Sequence, residues 1–174
     1  REEKEIYRSQ AKSGTTHFHA YATCYIVKQG RRYTVALTRV EQGTPMPAVL
    51  KRLLRCAATA GIRPSLLLLD RGFYSVDVIR YLQAARYPFL MPIVIQGRKA
   101  DHIKGPGGTR VFSLRKRSGW ASHTLQNAAK RKARVKVCIH CRNWQGVRKR
   151  HGRQALIYAF WAITPKRTQW VYET

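Results

Sequence analysis

The chain has 174 residues, of which 34 are Lys or Arg and only 8 are Asp or Glu, so its formal net charge is +26. An apolar fraction of 44%, with 4 Trp, 9 Tyr and 5 Phe, supplies enough material for a core and excludes a wholly disordered basic tail. No apolar run reaches the roughly 18–20 residues of a membrane span, and the first residues do not resemble a signal peptide. Four Cys are too few for a secreted disulfide framework. We therefore expect a soluble protein of a reducing compartment, with a polyanionic partner and no membrane.

The positive charge is concentrated in the C-terminal half. Residues 95–174 hold 19 Lys and Arg against 2 acidic residues, whereas residues 1–94 hold 15 against 6. Such a surface neutralises phosphate groups, so the expected partner is a nucleic acid, although charge does not distinguish DNA from RNA. Five basic clusters interrupt segments of apolar alternation, as the tips of hairpins would: Arg98-Lys99, Arg115-Lys116-Arg117, Lys130-Arg131-Lys132, Arg148-Lys149-Arg150 and Lys166-Arg167.

The N-terminal part is predicted to form a hairpin followed by a helix. Residues 1–16 are polar and are predicted to be a loop. Residues 17–27 and 32–40 are rich in β-branched and aromatic residues, which favours two strands joined at Gln29-Gly30. A helix is predicted next, from apolar residues at helical spacing between positions 46 and 58. Its expected signals are Thr44 as the cap, Pro45 at the first position and Gly61 at the end.

The middle of the chain completes an α/β pattern. The four Leu at 66–69 are apolar on both faces, which is typical of a central strand covered on each side. Ser75 is predicted to cap a second helix, with Asp77 in its first turn and Val78, Ile79, Leu82 and Ala85 along its buried face. Residues 89–95 are predicted to be a strand, and Pro92 places it at a sheet edge.

From Gly97 onward the sequence predicts only strands. Glycine and proline at 105–108 indicate a loop, and strands are predicted at 120–125, 133–139 and 155–163. In the second of these, Val135, Val137 and Ile139 alternate with Arg134 and Lys136, which is typical of a half-exposed strand. We interpret residues 1–96 as an α/β core, residues 97–165 as a basic β-rich insertion, and residues 166–174 as the start of a further part of the core.

Asp70 is the acidic residue whose position best suits catalysis. It follows the predicted buried strand, and ligands bind at the carboxyl ends of strands in α/β sheets. Gly72 beside it would allow a backbone or a ligand to approach closely. A carboxylate there suits Mg²⁺ shared with a phosphate group. The alternative is a structural role, in which Asp70 pairs with an Arg or caps the turn before Ser75.

A zinc site is the weaker of the metal hypotheses. Cys138 and Cys141 form a single Cys-x-x-Cys, which His123 or His151 could complete. A structural zinc site needs four ligands at matched spacing, however, and Cys138 lies within an alternating strand. We therefore expect reduced cysteines and no zinc.

Several segments together resemble the DDE catalytic domain of prokaryotic insertion-sequence transposases. The most specific is LLLLDRGFYSVDVI at residues 66–79, which is similar to the block around the second catalytic aspartate of that family. Four further segments agree with it in order and spacing: KSGTTHF at 12–18, RYTVAL at 32–37, PFLMP at 88–92 and WVYET at 170–174. The resemblance implies a ribonuclease H-like fold, a mixed sheet with flanking helices, and a β-rich insertion between the second and third acidic residues.

The function implied by this resemblance is phosphoryl transfer on DNA during transposition. Three carboxylates would hold two Mg²⁺ or Mn²⁺ ions, and Asp70 matches the second carboxylate. The first would lie before Arg1, and the third would be a Glu that follows a Tyr-x-x-Arg signature beyond Thr174; Glu173 precedes that signature. We thus expect an internal fragment that is inactive by itself. The expected partners are the element ends and target DNA, with self-association of the intact enzyme, in a prokaryotic, nucleoid-associated cytoplasmic setting.

The residues expected to contact DNA are the basic ones near Asp70 and in the insertion. They are Arg71, Arg98, Lys99, Arg115, Lys116, Arg117, Lys130, Arg131 and Lys132. Two other functions stay open at this point. One is a non-catalytic basic protein that binds RNA, for example on the ribosome, or DNA. The other is a zinc-dependent DNA-binding module.

Overall fold

The computed structural model describes residues 6–12, 15–99, 104–145 and 151–164. The fold is mixed α/β: the described residues form a five-stranded mixed sheet, two antiparallel strand pairs and a few short helices. The chain divides into two compact units, residues 1–64 and residues 65–174, called unit 1 and unit 2 below. Within the described ranges, no helix combines the length and the hydropathy needed to cross a membrane.

Unit 1 begins with two strand pairs. Strands β1 (Tyr7–Lys12) and β2 (Thr15–Phe18) pair antiparallel, so the prediction of a loop for residues 1–16 was wrong over this stretch. Polar strands lack the apolar alternation on which that prediction depended, and their backbone hydrogen bonds to each other define them instead. Strands β3 (Ala20–Lys28) and β4 (Arg31–Val40) form the predicted hairpin. Its turn places Gln29 and Gly30 at positive φ, as a two-residue turn between twisted strands requires.

Helix α1 (Met46–Thr59) packs against this hairpin in unit 1. Its buried face consists of Val49, Leu50, Leu53, Leu54 and Ala57, and the hairpin contributes the buried Ala36 and Val40. The predicted cap at Thr44 was wrong, because Pro45 occupies the cap position and the helix has no side-chain cap. Gly61 follows the end of the helix, as predicted, and it adopts a positive φ.

Unit 2 is built on the five-stranded sheet, whose strand order is β5-β6-β9-β8-β7. Strands β5 and β6 pair in parallel, and the other neighbours pair antiparallel. The strands are β5 (Leu67–Leu68), β6 (Phe89–Pro92), β7 (Gly119–Gln126), β8 (Lys132–Gln145) and β9 (His151–Trp161). Strands β7 and β8 contain the strands predicted at 120–125 and 133–139, whereas β9 covers residues 155–161 of the strand predicted at 155–163. Strand β9 pairs directly with β6. The predicted boundary between residues 96 and 97 stays a prediction.

Two predicted positions in this sheet were wrong. The strand before Asp70 is not central: β5 has two residues, lies at the sheet edge, and leaves Leu68 58% exposed. Conversely, β6 lies between β5 and β9 rather than at an edge. Pro92 is tolerated there because it is the last residue of the strand, and the next amide, that of Ile93, donates to the Ile157 carbonyl at 3.0 Å.

Helix α2 (Val76–Ala84) matches its predicted start. The Ser75 hydroxyl accepts a hydrogen bond from the Val78 amide at 3.3 Å, and Asp77 lies in the first turn. Val76, Val78, Ile79 and Leu82 are buried, whereas Ala85, predicted to face the core, is exposed at the end of the helix. A one-turn helix, α3 (Arg110–Ser113), lies in the segment for which only strands were predicted.

One face of β8 carries the core of unit 2. Val135, Val137 and Ile139 are buried, and Arg134 and Lys136 between them are exposed, as the alternation predicted. Between Lys132 and Val137, β8 thus presents apolar side chains on one face and basic side chains on the other.

Candidate nucleic-acid interface

Asp70 lies immediately beyond β5, at the carboxyl end of that strand. The Leu69 amide still donates to the Leu90 carbonyl at 3.0 Å, after which the chain turns away from the sheet. The Asp70 side chain caps the 3₁₀ turn Arg71–Phe73, since its Oδ1 accepts from the Gly72 amide at 2.8 Å. Asp70 itself is exposed. Asp70 therefore has the turn-capping role that was considered as an alternative, and this hydrogen bond uses one of its two carboxylate oxygens.

The close approach expected at Gly72 is made by Asp70 itself. A Cβ atom on Gly72 would lie 3.1 Å from Asp70 Oδ1, which is tighter than ordinary van der Waals contact. Two residues further on, the Tyr74 hydroxyl is buried and has no hydrogen-bond partner within the described part of the chain. Burial raises the pKa of Tyr74, so this hydroxyl stays protonated.

The described residues do not bring a set of acidic side chains together around Asp70. Nowhere within them do three or more His, Cys, Asp or Glu side chains come close enough to hold one metal ion. Asp77, the other acidic residue described in unit 2, forms an ion pair with Arg131 at 3.1 Å. One carboxylate does not hold two divalent ions, so the described residues by themselves do not fit the two-metal chemistry implied by the resemblance. Asp101 and Glu173 lie outside the described residues.

The two cysteines of the Cys-x-x-Cys motif are not placed to ligate the same metal ion. Cys138 and Cys141 are three residues apart in β8, so strand alternation sends their side chains to opposite faces. Cys138 is buried, and the Cys141 thiol donates to the Arg115 carbonyl at 3.3 Å. His123 packs edge to face on Phe112 with ring centroids 5.5 Å apart, and burial lowers the pKa of His123. The His151 side chain lies outside the described residues. This geometry favours two structural cysteines.

The loop after β6 holds the first predicted cationic pair, Arg98 and Lys99, and both are exposed. Arg98 also stabilises the loop, because its Nη2 donates to the Gly105 carbonyl at 2.6 Å and its own carbonyl accepts from Gly107 at 3.1 Å. At the base of the loop the buried Thr109 hydroxyl donates to the Val94 carbonyl at 2.8 Å. One nitrogen of the Arg98 guanidinium is thus used in a hydrogen bond within the loop. Lys99 is exposed and is the better placed of the two to contact a phosphate group.

The remaining described candidates surround β7 and β8. Arg115, Lys116 and Arg117 are exposed in the connection that leads into β7. Lys130 and Arg131 lie in the turn between β7 and β8, at the tip of a hairpin as predicted, and Lys132 is the first residue of β8. The Asn127 side chain holds this turn, since its Oδ1 accepts from the Arg131 amide at 2.9 Å.

Arg131 and Arg71 differ from the other predicted contacts. Arg131 pairs with Asp77, so its charge is partly neutralised within the protein. Arg71 lies in the turn capped by Asp70, and it is exposed.

Two further basic clusters, at residues 148–150 and 166–167, lie outside the described residues.

The structure adds residues that were not predicted to contact nucleic acid. Arg134 and Lys136 of β8 are exposed on the same face of the sheet as Trp120 and Ser122 of the neighbouring β7. The alternation within β8 predicted that these cations are exposed. Only the register between the two strands shows that they share a face with Trp120.

No protein-family model, no curated protein and no solved structure matches this chain. The resemblance to transposases therefore depends on the sequence motifs alone.

Proposed function

We propose that this chain binds DNA as part of a transposase catalytic domain of the DDE type, with a ribonuclease H-like core. The observation that carries the DNA contact is the charge of unit 2, in which residues 65–174 hold 22 Lys and Arg against 4 acidic residues. Most of the predicted cations within the described part of this unit are exposed rather than paired with acids. Such a surface favours a polyanion and binds it with a strong dependence on salt.

Asp70 is the proposed contribution to catalysis. Its position at the carboxyl end of a strand, together with the LLLLDRGFYS motif, supports a place in the acidic site of the intact enzyme. Further carboxylates are needed for that chemistry. We accordingly propose that the chain by itself binds DNA and does not cut it.

A second candidate function is binding of RNA or DNA without any chemistry. The hydrogen bond from the Gly72 amide to Asp70 favours it, because turn capping is sufficient to explain the carboxylate. The two functions differ in the preferred ligand: a transposase-type domain prefers duplex DNA, and a ribosome-associated protein prefers structured RNA.

The test is a fluorescence anisotropy titration of the full chain with a labelled DNA duplex and with an RNA hairpin of equal length. We expect tighter binding of the duplex, with a loss in affinity of about 10³-fold or more between about 50 and 200 mM NaCl. Tighter binding of the RNA hairpin would support the second candidate. Salt-independent binding, or none, would exclude both.

A pair of charge-matched variants locates the DNA-binding surface. Replacing Arg115, Lys116 and Arg117 with Gln should reduce the slope of log affinity against log salt by about 2–3, since each phosphate that the protein neutralises adds about 0.9 to that slope. The control removes three exposed charges from unit 1, at Lys28, Arg31 and Arg63. Equal decreases in the two variants would mean that the charge acts non-specifically and that unit 2 carries no defined binding surface.

A further inference from the structure

The polar face of strands β7 and β8 is a regular array of cross-strand pairs. On this face Gln126 is paired with Lys132, Thr124 with Arg134, and Ser122 with Lys136. All six side chains are exposed, and the Lys136 ammonium donates to the Ser122 hydroxyl at 3.3 Å. Each pair thus places a cation beside a neutral hydrogen-bonding group. We call these three pairs the β7–β8 ladder.

The spacing of the ladder suits an extended polyanion. Alternate residues of a strand are about 6.6–6.8 Å apart, so Lys132, Arg134 and Lys136 form an evenly spaced row of charges. Consecutive phosphates of an extended nucleic-acid strand are separated by a similar distance. The hydroxyl and amide groups of β7 lie beside this row and can donate further hydrogen bonds to phosphate oxygens. Strand β7 is an edge strand, so no other strand of the described sheet borders the ladder on that side.

An aromatic ring extends the ladder at one end. Trp120 lies two residues before Ser122 in β7, on the same face, and is 43% exposed. Its ring packs edge to face on Phe160, with centroids 5.7 Å apart and an interplanar angle of 80°. Phe160 is buried in a cluster with Leu90 and Cys138, so it provides a firm support for the ring. An exposed, supported indole beside cations is the arrangement on which unpaired bases stack.

We propose that the β7–β8 ladder and Trp120 form a binding track for single-stranded nucleic acid, with phosphates along Lys132, Arg134 and Lys136 and one base stacked on Trp120. The face of a base is accessible to an indole only when the base is unpaired. The choice of DNA over RNA rests on the proposed function.

The test measures binding of the full chain to labelled oligothymidylate, which does not pair with itself. Replacing Trp120 with Leu retains an apolar side chain against Phe160 but removes the stacking surface. We expect this variant to bind oligothymidylate about 5- to 100-fold more weakly and to bind duplex DNA with unchanged affinity. Unchanged oligothymidylate binding would overturn the proposal.

A second variant keeps the proposal testable if the Trp120 variant does not fold. Replacing Arg134 and Lys136 with Gln removes two exposed charges and should reduce the salt slope for oligothymidylate by about 1.4, at about 0.7 per neutralised phosphate. The control replaces Lys51 and Arg55 with Gln, which removes two exposed charges from α1. An equal decrease of the salt slope in this control would overturn the proposal that the β7–β8 ladder binds the strand.

The outcomes separate this proposal from the proposed function. Wild-type protein could bind duplex DNA with steep salt dependence while the substitutions at Trp120, Arg134 and Lys136 leave oligothymidylate binding unchanged. In that case only the proposed single-strand binding track is wrong. If the wild-type protein binds neither DNA ligand, the proposed function and the ladder fail together. An equal decrease of duplex and single-strand affinity in the Trp120 variant would also overturn the ladder, because it would indicate a general structural effect.

Discussion

Gly97 shows how strongly a single residue constrains the loop after β6. It has φ of +113°, and a Cβ atom there would clash with the carbonyl group of Gly107 across the base of the loop. On the opposite side, a Cβ atom on Gly108 would lie 2.7 Å from the Gln96 carbonyl oxygen, which is also too close. The two chain segments can therefore approach each other only because both positions lack side chains. This contact holds in place the loop that carries Arg98 and Lys99.

We predict that Gly97→Ala destabilises the protein by about 1–3 kcal/mol, because the clash is with backbone atoms and the φ value is unfavourable for alanine. The measurement is urea unfolding followed by circular dichroism. Gly105→Ala is the matched control, since nothing lies within 4 Å of a Cβ atom there and its φ is not in the left-handed region. The control should be neutral, or more stable by up to about 1 kcal/mol. Equal destabilisation of the two variants would show that the contact across the base of the loop does not constrain it.

At the scale of elements, the two longer helices begin in different ways. Helix α2 has a side-chain cap from Ser75, and Asp77 in its first turn lies where a negative charge offsets the helix dipole. Helix α1 has neither feature: Pro45 occupies the cap position, and no acidic residue lies in the first turn. The stability of α1 therefore depends on its apolar face against the hairpin rather than on its end.

We predict that Ser75→Ala lowers the free energy of unfolding by about 1 kcal/mol, because the Val78 amide loses its acceptor. Thr44 precedes Pro45, the cap residue of α1, and does not itself cap the helix. Thr44→Ala should therefore lower the free energy of unfolding by less than about 0.5 kcal/mol. Urea unfolding at neutral pH compares the two variants directly. A destabilisation at Thr44 as large as that at Ser75 would mean that α1 begins one residue earlier, with Thr44 as its cap.

At the scale of the whole molecule, charge opposes folding. A net charge of +26 on 174 residues brings many like charges together when the chain becomes compact, and this repulsion destabilises the folded state. Few acidic residues are present to offset it. The ion pair between Arg131 and Asp77 contributes little, since both side chains are partly exposed to water, at 56% and 41%.

We predict that the melting temperature rises as NaCl is increased from about 0.05 to 0.5 M, because salt screens repulsion between exposed charges. Thermal unfolding by circular dichroism at constant pH measures this effect. A DNA duplex should raise the melting temperature at low salt, and this increase should disappear at high salt. A melting temperature that falls with NaCl would show that attractive charge pairs outweigh the repulsion.

Local sequence patterns by themselves determined much of this protein. The β3–β4 hairpin follows from alternating β-formers around Gln29-Gly30, and the start of α2 follows from Ser75 and Asp77. The burial pattern of β8 follows from the period-two alternation of valine with basic residues. These features depend on side chains a few residues apart, so the sequence contains the whole signal. The net charge, which supports a polyanionic partner, is likewise a property of the sequence.

The tertiary structure alone decided where the strands lie and which side chains share a face. The leucine run before Asp70 indicated burial, but the two-residue β5 lies at an edge because, among the described strands, only β6 pairs with it. The basic row of β8 lies beside Trp120 because the register pairs Trp120 with Cys138, which is 18 positions further along the chain. Strand order and register are set by hydrogen bonds and packing between distant segments, and a local pattern carries no information about which segment will be the neighbour.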